Sequence, residues 1–62
     1  MFDYFVSEGV LLRTPAGKVA PVEAWGGEPP GWSHYPDVWD FLHNARWIDE
    51  AKASEGYPGS VR

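Results

Sequence analysis

Sixty-two residues, 16% of them aromatic and none of them cysteine, carry a formal net charge of −4 and a pI near 4.8. A chain of this length supports one domain that buries only about 60% of its unfolded surface, and without cysteine it has neither disulfide staples nor thiolate metal sites. Five dispersed Lys and Arg against nine acids argue against a phosphate-backbone ligand, and no apolar run approaches the ~18–20 residues that span a bilayer, so the expectation is an intracellular protein with no nucleic-acid or membrane partner.

Phe2 to Val6 is rich in aromatic and β-branched residues and predicts a first strand, followed by a Ser7-Glu8-Gly9 turn in which Gly9 supplies a positive φ. Val10 to Thr14 predicts a second strand, apolar on both faces. Pro15-Ala16-Gly17 is again turn chemistry. Lys18 to Trp25 then predicts a third strand, which Pro21 marks as an edge because proline has no N–H to give a sheet. Short loops between neighbours make this a meander in the order 1-2-3, with the first strand as the more open edge. Gly26 to Gly31, with Pro29 and Pro30 inside it, reads as the connector from sheet to helix.

Pro36 suits a first helical position and Asp37 complements the positive end of the helix dipole, so a helix is predicted over 36–44. At about 100° per residue its inward stripe is Val38, Phe41, Leu42 and Ala45. An unbroken helix would put Asp49 inside that stripe and Trp47 on the polar face. A break near Asn44 to Arg46 removes both conflicts and lets Asp49 cap a second helix over 49–55. Gly56 to Arg62 holds too many helix breakers to stay helical and predicts a flexible tail. The expected fold is therefore α+β: a three-stranded antiparallel β-meander followed by two short α-helices packed on one face. The domain spans 1–55, with Leu12, Val19, Val38, Phe41, Leu42 and Ile48 in its core.

His34, Asp37, Asp40 and His43 recur at every third residue, and all four are types that bind divalent metals. Ligands at that spacing drift about 60° around a helix per step, so four of them do not converge on one ion. Asp37 with Asp40, or Asp40 with His43, would need a cleft to act as an acid–base pair, and so small a domain offers little room for one. No catalytic residue, cofactor or metal is expected. The function left over is contact with a protein partner or with further copies of the chain, and the candidate contact residues are Tyr4, Phe5, Trp25, Trp32 and Trp47. Tyr4 and Phe5 lie on the open edge strand, and Trp47 sits between the helices, where it either closes the core or presents an indole to a partner.

The run of Ser-Glu-Gly-Val-Leu-Leu-Arg, Pro-Ala-Gly-Lys-Val, Val-Glu-Ala-Trp-Gly-Gly and Trp-Ile-Asp-Glu-Ala resembles the small uncharacterised proteins of actinobacterial phages and their hosts. The resemblance spans most of the chain, rests on turn and core residues, and implies no catalytic or binding residue. It implies a phage-type open reading frame, complete from Met1. The corresponding expectation is a non-enzymatic module that docks on a larger protein or virion assembly, in the host cytoplasm or the virion. The alternative is a small acidic inhibitor of a host nucleic-acid-binding or defence protein.

Overall fold

A computed structural model describes residues 1–61. The elements in chain order are β1 (Phe2–Ser7), β2 (Val10–Pro15), β3 (Glu23–Trp25), β4 (Trp32–His34), α1 (Val38–Asn44), β5 (Arg46–Ile48) and α2 (Glu50–Gly56). The strands form one antiparallel sheet in the order β4-β3-β2-β1-β5. The first hairpin follows from its turn: Ser7 pairs with Val10, and both loop residues, Glu8 (φ 50) and Gly9 (φ 80), lie in the left-handed region that two-residue hairpins of this twist require.

The three-stranded meander is thus corrected to five strands. Neither expected edge is an edge: β5 pairs with β1 along Tyr4–Ile48, Phe5–Trp47 and Val6–Arg46, and β4 pairs with β3. The open margins of the sheet are β4 and β5, three residues each, short enough to limit edge-to-edge association. The third strand begins only at Glu23, because Lys18 to Pro21 runs as irregular chain before Val22 drops into the core. Gly26–Gly31 does not carry the chain to the helix. It closes a β3–β4 hairpin, with the Gly26 N–H donating to Gly31 O (3.0 Å) and the Gly31 N–H to Gly27 O.

The helices lie on opposite faces of the sheet, not on one. Period-two alternation sends Tyr4, Val6, Leu11, Trp25, Trp32 and Ile48 to the face where Ala53 of α2 docks, and sends Phe5, Leu12 and Ala24 to the face where Phe41 of α1 docks. Both helices start later than expected, α1 at Val38 instead of 36 and α2 at Glu50 instead of 49: Asp37, expected inside the first turn beside the dipole, is instead the cap that accepts from the Asp40 N–H (2.9 Å), while Asp49 caps α2 as expected, accepting from the Lys52 N–H (2.8 Å). The end of α1 differs. Ala45 is extended, so the chain passes straight from helix into β5 without a left-handed residue.

Of the expected core, Leu12 and Phe41 are buried and Ile48 is half-buried. Val19 is 63% exposed, Leu42 56% and Val38 41%. The roll of α1 accounts for the last two. Asp40 turns toward the sheet, where its carboxylate accepts from Ser7 Oγ (2.9 Å), Tyr35 Oη (2.7 Å) and Asn44 Nδ2 (2.8 Å). With Asp40 and Phe41 facing inward, Val38 and Leu42 are carried outward. Of residues 56–62, read from sequence as a flexible tail, Gly56 ends α2, residues 57–61 pack on the α2 side, and Arg62 lies outside the described residues. The Tyr57 hydroxyl donates to Gly9 O (2.8 Å), Ser60 is buried, and Val61 packs against the Leu11 cluster.

Thr14 is fully buried in the sheet and its hydroxyl has no hydrogen-bond partner among the described residues. Thr14→Val keeps the shape and removes that desolvated group, so it is expected to stabilise the domain by about 1 kcal/mol. A thermal melt reads this as a rise of roughly 4–8 °C.

Candidate contact surfaces

Two surfaces offer side chains to a partner, one on each face of the sheet. The first lies on the α1-bearing side. Val38, Trp39 and Leu42 sit three and four residues apart and are neighbours on the outer side of the helix. Trp39 is 73% exposed and lies against His43, with ring centroids 4.2 Å apart and planes tilted by 51°. Trp47 opposes Phe5 in the register and so belongs to the same side of the sheet, where it is 64% exposed. Phe5 itself packs edge-on against Phe41 at 4.9 Å and is half-buried.

Carboxylates flank the start of α1. The Tyr35 phenol is pushed up to about 12, first by its hydrogen bond to Asp40, then by burial and by the negative charges of Asp40, Asp37 and Glu8. Asp40 is lowered by the hydrogen bonds from Tyr35, Asn44 and Ser7, against a smaller opposing effect of burial. The signs set two pH windows. Tyr35 is raised, so its contribution is complete below its ordinary value of 10 and is lost as pH climbs toward 12. Asp40 is depressed, so its contribution is present above 3.8 and is lost as pH falls through its lowered folded value. Urea unfolding at a series of pH values should therefore show Tyr35→Phe flattening the alkaline fall in stability and Asp40→Asn flattening the acid one.

The metal-type quartet is occupied with other tasks. Asp37 caps α1, Asp40 holds the latch to Ser7 and Tyr35, His43 lies against Trp39, and His34 lies on β4 opposite Glu23. No group of three metal-binding side chains gathers among the described residues. No described helix is long and apolar enough to cross a membrane.

The second surface is a groove of about 390 Å³ on the α2-bearing face, lined among others by Phe2, Tyr4, Arg13, Trp25, Pro30 and Trp32. The β3–β4 register sets Trp25 opposite Trp32, with ring centroids 5.3 Å apart, and Tyr4 lies 6.2 Å from Trp32. Arg13 is stacked between two rings, 3.9 Å from Phe2 and 4.1 Å from Trp32, while its Nε donates to Glu23 at 2.9 Å. Burial raises the Tyr4 hydroxyl, Glu50 adds to the shift, and Arg13 opposes it. The Trp32 indole N–H donates to Ser60 O (3.2 Å), so the C-terminal segment forms part of the wall.

Of the five residues singled out from sequence, Tyr4, Trp25 and Trp32 converge on this groove, Phe5 lies under α1, and Trp47 stands alone on the other side. Sequence reasoning missed Trp39 and Arg13 as surface residues. The hairpin that builds the groove does have a signal: Trp-Gly-Gly-Glu-Pro-Pro-Gly-Trp sets a glycine beside each indole, as a loop between paired strands would. Comparison with protein-family models, curated proteins and solved structures finds no match.

Proposed function

We propose that this chain is a protein-binding module that docks on a larger protein through the α1-bearing side of its sheet, with Trp39 and Trp47 as anchors. The observation that carries this is the exposure of those two indoles, together with Val38 and Leu42, on the α1-bearing side, when the other two tryptophans are partly buried on the opposite face. Large exposed apolar groups on so small a surface are characteristic of an interface, and tryptophan is the residue type that most often dominates one. Asp37 at the start of α1 and Glu8 in the β1–β2 turn, both close enough to act on Tyr35, fit a partner whose apolar slot is rimmed by Lys or Arg. In a phage-type protein that partner is a virion component and the compartment is the virion or the host cytoplasm. The same acidic flank favours a second reading, an acidic competitor for a basic host nucleic-acid-binding or defence protein.

The test is a Trp39→Ala, Trp47→Ala double variant. Both sites are at the surface, so each is expected to change stability by no more than about 0.5 kcal/mol. Immobilised wild-type protein retains its partner, or light scattering reports a self-assembled mass, and the double variant loses that association while melting as wild type. A folded double variant that binds as tightly as wild type removes this surface from consideration.

A further inference from the structure

The groove on the opposite face takes no part in the α1 surface, and its chemistry selects a different occupant. Its walls are rings with one guanidinium among them: Trp25 and Trp32 tilt toward each other, Phe2 and Tyr4 extend the row, and Arg13 lies over Phe2 and Trp32. Its side-chain donors include the indole and guanidinium N–H groups and the Tyr4 hydroxyl. Among the described residues the Trp25 indole lines the groove without a side-chain hydrogen bond, and Arg13, whose Nε pairs with Glu23 and whose guanidinium also faces the Tyr4 hydroxyl, has further N–H groups. A ligand suited to this lining offers carbonyl oxygens, few N–H groups and flat apolar rings. A proline-rich segment has that composition, since each proline lacks an N–H and the polyproline II backbone leaves its carbonyls free.

Charge decides against the main competitor. An anion would meet a guanidinium already neutralised by Glu23, on a chain of net charge −4. The volume is at the small end of ligand sites, room for two or three residues of a chain crossing the surface. One wall is itself proline: Pro29 and Pro30 line the groove, and Gly31 lies so close to Trp25 that an added Cβ would meet the indole at 3.8 Å. Fixed proline dihedrals hold that wall in place before any ligand arrives.

We infer that this groove binds a proline-rich peptide segment in the polyproline II conformation, its rings against Trp25 and Trp32 and a backbone carbonyl accepting from the Trp25 indole N–H.

The probe is a decaproline peptide, followed through the four indole N–H resonances of the whole protein. The expected result is a saturable shift of the Trp25 and Trp32 resonances with Trp39 and Trp47 unmoved, and no shift with decaglycine or with inorganic phosphate. Trp25→Phe keeps a ring and removes the donor, so binding followed at Trp32 weakens about fivefold. If that variant does not fold, Phe2→Ala at the exposed start of β1 removes one wall and weakens binding roughly threefold. The inference is overturned if millimolar decaproline leaves Trp25 and Trp32 unmoved, if phosphate or decaglycine moves them, or if the folded variant tested binds as tightly as wild type. None of those outcomes bears on Trp39 and Trp47, which lie on the other side of the sheet.

Discussion

Phe41→Ala is expected to leave the domain largely unfolded at room temperature, whereas Leu42→Ala, one residue on, melts close to wild type. Phe41 is the one buried side chain of α1, and it meets Phe5, Leu12 and Val22. Its removal costs about 3–5 kcal/mol in lost transfer energy and cavity. A chain of this length has about 3–9 kcal/mol in all. Leu42 is more than half exposed, so its truncation falls within about 0.5 kcal/mol. Circular-dichroism melts of the pair fix the roll of α1, and similar melting of both variants would overturn the Asp40 latch that sets it.

Leu11→Ala should be nearly as damaging, by about 2–5 kcal/mol, although Leu11 points away from Phe41. It is fully buried on the α2 side, where Tyr4, Ala53, Tyr57 and Val61 close over it. The two cores share only the thickness of the sheet. If they form one cooperative unit, Leu11→Ala lowers the far-ultraviolet signal of both helices and the tertiary signal of the Phe5–Phe41 contact in a single transition. Two separated transitions would mean that each face melts alone.

Local chemistry was enough for the parts of this fold that it controls. Glu8-Gly9 specified a tight hairpin, Asp49 specified the cap of α2, and the conflict between Trp47 and Asp49 located the break between the helices. What stayed hidden depends on partners distant in sequence. β4 and β5 are three residues each, too short to show alternation, and they are strands only because β3 and β1 offer them free backbone groups. The roll of α1 was misread because apolar periodicity ranks Val38 and Leu42 above Asp40, while Ser7 and Tyr35 supply the hydroxyls that draw Asp40 inward. The groove was legible as a set of aromatic residues but not as a place, since that required the Trp25–Trp32 register.

The pairing of Val6 with Arg46 carries a consequence for synthesis. As the chain leaves the ribosome, β1 and β2 emerge first and can form their hairpin, yet one margin of β1 remains bare until Arg46 to Ile48 follow. The Leu11 face waits longer still, for Ala53, Tyr57 and Val61. Closing so long a loop is slow relative to forming the hairpin. A nascent or prematurely terminated chain therefore presents an apolar two-sided hairpin with an open edge, the form most prone to pair with another copy. The arrival of Arg46 to Ile48 closes the edge, and that of Ala53, Tyr57 and Val61 covers the Leu11 face.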